Sequence, residues 1–279
     1  MERNVIGLIP AAGSGVRLYP FSKAVPKEMY PVLGKAVIEH AVENLKAGGI
    51  DKIYVIVGHK KGALMDYLGD GSFFDAKISY LYQLKPKGPG HAILQARDWV
   101  SSTFLTLFGD SFIEPKEEIT RLIDFHFEEK PIATLLLFET PTSEGYGVAK
   151  LSLKGTGAVI GKVKEKPGKS EAAEFAHNGK YYAMCGAYVL DPRIFDFIAR
   201  VKPGVNGEIQ ITDAVALALE EGEKVCGVVL KGKYIDMGKW KTILNVEKEM
   251  LKDLSLDSYI SEREKMAEKI NKQLKNSDE

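Results

Sequence analysis

The residues with the clearest chemical potential stand in the first loop of the chain. Gly13 and Gly15 directly follow the apolar run VIGLIP, and Arg17 and Lys27 come next, ten positions apart. An open α/β sheet presents backbone N–H groups to a phosphate at such a position, and fixed cations offset the charge of a triphosphate. The loop therefore indicates a phosphate site. A tight turn with solvated cations is the alternative when the glycines are taken alone.

Two well-known phosphate loops do not fit this segment. It lacks the Lys-Ser/Thr pair of a GKS or GKT loop, and Leu18 stands where a dinucleotide fingerprint has its third glycine. The next apolar run ends in VGHK, without an acidic residue for a ribose. A nicotinamide-dependent dehydrogenase is therefore disfavoured.

Two aspartates each follow an apolar segment, Asp110 after FLTLFG and Asp236 after KGKYI. Ligands of open α/β sheets bind at the carboxyl ends of the strands. We therefore expect both carboxylates to project from strand ends at the same edge of the sheet, although 126 positions separate them. For either residue alone, a turn or a helix cap is the commoner role.

The elements that must hold these residues alternate between apolar runs and amphipathic segments. This pattern predicts a doubly wound α/β fold with a mostly parallel, Rossmann-like sheet. Shorter segments after Pro141 predict a smaller mixed β region. Expected strands are 5–10, 53–57, 78–81, 104–108, 132–138 and 224–230, and expected helices are 35–46, 62–68, 91–100, 116–129, 192–199, 209–221 and one from 239.

Charge and composition limit the partners. Lys plus Arg and Asp plus Glu number 38 each, so no net field attracts nucleic acid or an anionic membrane. No basic leader precedes the first strand, and no run approaches about 18 apolar residues, so we expect a cytoplasmic protein. Cys185 and Cys226 lie in apolar segments and are expected to be buried thiols.

The last part of the chain, residues 251–279, is rich in charge, while Met266, Ile270 and Leu274 recur every four residues. This spacing predicts an amphipathic helix that follows a domain of residues 1–250. We expect the helix to contribute to assembly, in a homodimer or homotetramer.

The run LIPAAGSGVRLYPFSKAVPKEMYPVLGKAVIEH resembles the N-terminal signature of the sugar-phosphate nucleotidyltransferases. Further segments resemble family motifs in the expected order: YQLKPKGPGHAI, LFGDSF, GYGVAKL, VKEKPG, CGAYVLDPRIF, NGEIQITDAV and YIDMGKW. The uridylyl and thymidylyl branches, which act on glucose 1-phosphate, are the most similar. Val16 departs from the pattern, since the family usually has Thr there.

The resemblance implies roles for particular residues. The nucleotide would contact Ala11, Ala12, Gly13, Ser14 and Gly15, with Gln83 and Gly88 at a pyrimidine base. Asp110 and Asp236 would hold Mg²⁺. Arg17, Lys27 and Lys166 would be catalytic, and the sugar would contact Tyr146, Gly147, Glu165 and Gly186. His91 and Trp240 adjoin these motifs, and for both we expect packing at the start of a helix.

The implied substrates are a nucleoside triphosphate and a sugar 1-phosphate. UTP is a narrow favourite over dTTP, because KAVPKEM, GPGHAI and EIQITDA look like the uridylyl enzymes, whereas YIDMG and the compact length look like the thymidylyl ones. The expected product is UDP-glucose, with dTDP-glucose as the alternative. A non-catalytic regulatory subunit that binds nucleotide sugars is the rival from another class.

Overall fold

The structure is a computed structural model that describes residues 4–32 and 34–253, together with positions 257, 260, 261, 264, 265, 267 and 268. The strands are β1 (Ile6–Pro10), β2 (Pro31–Val32), β3 (Lys35–Ala36), β4 (Lys52–Val57), β5 (Lys77–Tyr82), β6 (Phe104–Leu107), β7 (Ser111–Glu114), β8 (Ala133–Thr140), β9 (Gly147–Lys154), β10 (Gly157–Glu165), β11 (Tyr181–Leu190), β12 (Val225–Val229) and β13 (Lys233–Asp236). The α-helices are α1 (Phe21–Ala24), α2 (Val37–Ala47), α3 (Gly62–Leu68), α4 (Pro89–Leu94), α5 (Glu117–Glu129), α6 (Lys169–Ala172), α7 (Ile194–Arg200), α8 (Ile211–Glu220) and α9 (Trp240–Asp253).

Nine strands form one sheet in the order β5-β4-β1-β6-β11-β8-β12-β10-β9. The first four are parallel, β8 and β12 are parallel to each other, and β10 and β11 are antiparallel to the strands beside them. Seven of the nine strands thus run in one direction. The mostly parallel α/β sheet predicted from the sequence is confirmed, and the mixed region of β9, β10 and β11 continues the same sheet.

Apolar side chains cover both faces of this sheet. Leu8 and Ile9, neighbours on β1, are fully buried in two different core clusters because successive strand residues point to opposite faces. Strand β4 is buried at every position after Lys52. Continuous burial of this kind is what a parallel sheet with two covered faces requires.

A third apolar cluster lies beside the first loop. Leu18 packs there with residues of the two-stranded β7–β13 ribbon, such as Phe112, and with Ile243 and Val246 of α9. Helix α9 therefore holds the loop that carries Arg17. Helix α9 also continues past position 250, where we predicted the end of the first domain. The predicted apolar stripe of Met266, Ile270 and Leu274 lies outside the described residues.

Helix α4 departs most from its predicted bounds, and α2, α7 and α8 each begin two residues later than expected. The segment 91–100 was expected to be helical throughout, but α4 ends at Leu94, and turns with bonds of the i→i+3 type follow, as from Ala96 N–H to Ile93 O. These turns, with one i→i+4 bond from Val100 N–H to Ala96 O, keep Ala96 and Val100 buried, so the apolar spacing is preserved beyond the end of α4. Lys35 and Ala36 form β3 rather than the first turn of α2.

Both cysteines are buried and free, as expected. Among the described helices, none has the length and apolar character needed to cross a bilayer.

Candidate active site

A cleft of about 440 Å³ opens beside the ends of β1, β5 and β6 and runs toward β9, β10 and β11. The structure brings together on its walls fifteen of the sixteen residues predicted for the site, and Ala11 lies outside the lining. The fifteen are Ala12, Gly13, Ser14, Gly15, Arg17, Lys27, Gln83, Gly88, Asp110, Tyr146, Gly147, Glu165, Lys166, Gly186 and Asp236. Ala11 is buried and donates its N–H to the Ile56 carbonyl. Its N–H is therefore not free for a phosphate, and a contact of Ala11 with the nucleotide stays a prediction.

The glycine-rich loop is folded over the side chain of Lys27. Gly15 has a φ of 66°, and a Cβ added there would lie 3.0 Å from Lys27 Cβ. Ser22 Oγ donates to the Gly15 carbonyl at 2.7 Å and holds the end of the loop. Glycine is needed at position 15 both for the left-handed backbone and for the close approach of Lys27.

The Lys27 ammonium contacts the Asp110 carboxylate in a short ion pair. Burial alone would lower the pKa of Lys27, but Asp110 and Glu28 outweigh it and raise the pKa to about 12. Burial would raise the pKa of Asp110, and the Lys27 ammonium, with a smaller contribution from Arg17, holds it below its usual range. Both groups are therefore charged near neutral pH.

Asp236 reaches the same place from a different sheet. Strand β13 pairs with β7 so that Asp236 lies opposite Ser111, the neighbour of Asp110. Met237 N–H also donates to the Asp110 carbonyl at 2.9 Å. The expectation that both aspartates project from the edge of one sheet is wrong for Asp236, which is placed by the β7–β13 ribbon.

Gly238 leaves open the space between the two carboxylates. A Cβ added to Gly238 would lie 2.9 Å from Asp110 Oδ2 and 2.9 Å from Asp236 Oδ1, so both oxygens converge on one small space. Mg²⁺ is commonly bound through one or two carboxylates and completed by substrate phosphates and water. The donor set and the space at Gly238 fit such an ion, although the described residues contain no cluster of three or more His, Cys, Asp or Glu suited to a metal.

Two further cations surround Asp236. Arg17 Nη1 lies 3.9 Å and Lys239 Nζ 3.0 Å from Asp236 Oδ2. The Arg17 side chain is 58% exposed, so it can reorient toward an anionic ligand. Lys239 also lies 5.1 Å from the centre of the Tyr146 ring, at which distance a cation is attracted to the ring face.

At the β5 end of the cleft, Gln83 is buried and makes two contacts through its amide nitrogen. Nε2 lies 3.2 Å from the Gly88 carbonyl and 2.8 Å from His91 Nδ1. Gly88 has a φ of 99°, and an added Cβ would lie 2.7 Å from Glu208 Cβ, which explains the glycine. His91 was expected only to pack, and it also contacts Gln83.

At the other end, Glu165 is held at both carboxylate oxygens. Thr212 Oγ1 donates to Oε2 at 2.7 Å, and Lys166 Nζ lies 3.0 Å from Oε1. Gly147 pairs with Glu165 across β9 and β10, and an added Cβ there would lie 2.8 Å from Glu165 Oε2. This arrangement fixes the carboxylate and keeps space beside it.

The backbone at Lys166 and Gly186 has left-handed geometry, with φ values of 41° and 69°. This region is strained for a lysine and costs on the order of 1–3 kcal/mol. Lys166 N–H donates to the Tyr146 carbonyl at 3.0 Å, which ties the lysine to the opposite loop. At Gly186 an added Cβ would lie 2.9 Å from Ser111 Oγ, so only glycine fits in this part of β11.

Several cleft residues were not identified as site residues from the sequence. Those with polar side chains are Glu208, Gln210, Thr212, Tyr188 and Tyr234. Thr212 stands in NGEIQITDAV and Tyr234 in YIDMGKW, two segments that carried the family resemblance. Membership in such a segment was the available signal. Trp240 packs against Tyr30 and donates its Nε1–H to the Tyr19 carbonyl, as a packing residue would.

Comparisons with known proteins identify the family of the chain. The family described as nucleotidyl transferase matches residues 6–253. The low-salt glycan biosynthesis nucleotidyltransferase Agl11 of Haloferax volcanii is 34% identical over 90% of this chain and 67% of its own length. A glucose-1-phosphate thymidylyltransferase of Streptomyces griseus is 32% identical over 92% of this chain and 69% of its own length.

Among solved structures, a UDP-glucose pyrophosphorylase complexed with UDP-glucose superposes with a TM-score of 0.80 at 26% identity, covering 90% of this chain and 99% of that one. The matched relatives and this neighbour share one class of activity. We conclude that the chain belongs to the nucleotidyl transferase family and is a sugar nucleotidyltransferase.

Proposed function

We propose that the protein transfers the uridylyl group of UTP to glucose 1-phosphate and releases pyrophosphate. The observation that carries this proposal is the convergence of Asp110 and Asp236 beside Lys27 and Arg17, in the same cleft as the Glu165–Lys166 pair. One cleft thus offers groups for a metal-bound triphosphate and for a second, phosphorylated substrate.

The order of the strands supports this assignment. Gln83 follows the edge strand β5, the glycine-rich loop follows β1, Asp110 follows β6, and Gly186 lies in β11. These strands lie in that order across the sheet. In a nucleotide sugar the base, the phosphates, which would bind the metal, and the sugar follow one another in the same order.

In the proposed reaction, an oxygen of the sugar 1-phosphate forms a bond to the α-phosphorus of UTP while the bond from that phosphorus to the bridging oxygen of pyrophosphate breaks. The attacking phosphate is largely ionised near neutral pH, so the step needs no general base. Mg²⁺, when bound, would neutralise charge on the phosphates. Lys27 and Arg17 would orient the triphosphate, and positioning with charge neutralisation would supply the catalysis.

Lys166 is the group proposed to hold the attacking phosphate. Its ammonium lies beside Glu165, and its side chain is 35% exposed, so it can reach a ligand in the cleft. Glu165, fixed by Thr212, would accept hydrogen bonds from sugar hydroxyls. Gly147 and Gly186 would allow the sugar ring to approach the backbone.

Transfer from dTTP is the second candidate. The relative from Streptomyces griseus, named as a glucose-1-phosphate thymidylyltransferase, favours it. The solved neighbour in complex with UDP-glucose favours UTP, and UTP remains the first choice.

A pyrophosphate-release panel tests the proposal. The purified protein is supplied with UTP, dTTP, CTP, ATP or GTP and with a set of sugar 1-phosphates, and kcat/KM is measured for each pair. The highest value is expected for UTP with glucose 1-phosphate. A higher value for another triphosphate or sugar would replace the assignment, and no release from any pair would reject it.

The Lys166→Met variant tests the sugar end separately. We expect a larger rise in KM for glucose 1-phosphate than for UTP, because Lys166 lies beside Glu165, the carboxylate proposed to contact the sugar. Lys164→Met, a change at an exposed lysine near the end of β10, two positions before Lys166, is the matched control. Equal effects of the two variants would reject the role of Lys166.

A further inference from the structure

The amide of Gln83 has one orientation that its neighbours permit. A carbonyl oxygen can only accept a hydrogen bond, so the amide atom 3.2 Å from the Gly88 oxygen must be the nitrogen. The same nitrogen lies 2.8 Å from His91 Nδ1. Nδ1 must therefore accept, and the ring carries its proton on Nε2.

The surroundings of His91 keep this ring neutral and in place. Burial, with a smaller effect of Lys87, lowers the pKa of His91 below its usual value. The backbone is held in α4, where Gln95 Nε2 donates to the His91 carbonyl at 2.9 Å. The acceptor at Nδ1 is thus a fixed feature of the cleft wall.

We propose that His91 is a positioning residue that sets base selection. Its Nδ1 accepts a hydrogen bond from Gln83 Nε2, and this leaves the Gln83 amide oxygen available to accept a hydrogen bond from the N3–H of a uracil or thymine base. This inference rests on the proposed function. The amide oxygen takes no part in the contacts with Gly88 and His91. Gln83 lines the cleft, so a base can approach it.

The consequence is discrimination against cytosine. Uracil and thymine carry a hydrogen at N3, whereas N3 of cytosine is an acceptor and would face the amide oxygen without a proton between them. A site built to pair with a donor rejects a ligand that lacks it. UTP and dTTP are not separated by this contact, because both present the same N3–H.

The test measures kcat and KM for UTP, dTTP and CTP with glucose 1-phosphate in the full-length protein. His91→Phe keeps the ring volume and removes the acceptor, and His91→Leu is a second variant of the same kind. His91→Asn places a carbonyl oxygen near the position of Nδ1. Asp98→Asn changes an exposed position in the turns that follow α4 and serves as the control.

We expect His91→Phe to narrow the ratio of kcat/KM between UTP and CTP by about tenfold, since one hydrogen bond contributes on this order. The change should lie mainly in KM for UTP and dTTP, and His91→Asn and the control should keep a ratio near that of the wild type. An unchanged ratio in folded His91→Phe and His91→Leu overturns the inference alone. A wild type that releases pyrophosphate from neither UTP nor dTTP overturns both the inference and the proposed function.

Discussion

The ion pair of Lys61 with Glu28 predicts a large effect of a single substitution. Lys61 Nζ lies 2.7 Å from Glu28 Oε2, and the side chains are 4% and 1% exposed. The other oxygen of Glu28, Oε1, is buried and has no hydrogen-bond partner among the described residues. Glu28 stands next to Lys27 in a short 3₁₀ turn, so this pair lies directly behind the site.

Lys61→Met leaves the Glu28 carboxylate buried without the ammonium that donates a hydrogen bond to it. Breaking a buried pair in this way costs about 3–5 kcal/mol, a large part of the roughly 5–15 kcal/mol that stabilises a typical domain. Replacing both partners removes the uncompensated charge. The double variant Glu28→Met with Lys61→Met should therefore regain most of the lost stability.

The assay is urea denaturation at pH 7, with the free energy of unfolding compared across the two single variants, the double variant and the wild type. Lys60→Met, at the exposed neighbouring position, is the control and should change the free energy of unfolding by no more than about 0.5 kcal/mol. A loss below 1 kcal/mol in Lys61→Met, or a double variant as unstable as the sum of the singles, would refute the reasoning.

Three more predictions concern the metal, the pH and the packing. Asp110→Asn and Asp236→Asn should each lower turnover on the order of a thousandfold in a magnesium titration, because charge that balances the metal is lost. Burial lowers the pKa of His126 from 6.5 to about 4, so the unfolded chain takes up the proton first as the pH falls. The free energy of unfolding should therefore fall by about 3 kcal/mol between pH 6.5 and pH 4, as measured by denaturation at each pH. Gly157→Ala should cost about 1–3 kcal/mol in the free energy of unfolding, because its Cβ would overlap the Phe125 ring.

Each of these has a control. Circular dichroism must show folded Asn variants, and turnover like the wild type at low magnesium would place the metal elsewhere. His126→Gln should remove most of the loss of stability between pH 6.5 and pH 4, whereas His59→Gln, at an exposed position, should show the same loss as the wild type. Equal pH dependence in the two variants would contradict the role given to His126. Gly161→Ala has its nearest contact at 3.9 Å and should be mild; a similar cost at both glycines would contradict the packing argument.

Much of the sheet and of the phosphate loop could be predicted from local sequence. Apolar runs bounded by glycine identified β1, β4 and β6, because a strand covered on both faces is apolar throughout. The spacing of Gly13, Gly15 and Lys27 identified the loop. These features depend on neighbouring residues, and local pattern is therefore sufficient.

What local sequence could not give was the set of contacts between distant segments. Strands β7 and β13 have four residues each, and their pairing, which brings Asp236 to Asp110, joins positions more than a hundred residues apart. The burial of Glu28 depends on Lys61, and nothing in KEM distinguishes it from a solvated carboxylate. The orientation of the Gln83 amide depends on the Gly88 carbonyl and on His91 Nδ1, and the letters of this segment do not show these contacts.

The most direct test of the central claim follows the phosphorus atoms of UTP. The protein is incubated with glucose 1-phosphate and UTP labelled with ³²P at either the α or the γ position, and the products are separated. The account predicts that the α label appears in UDP-glucose and the γ label appears only in pyrophosphate. A γ label on the sugar product, or release of the γ label as orthophosphate without a nucleotide sugar, would contradict it.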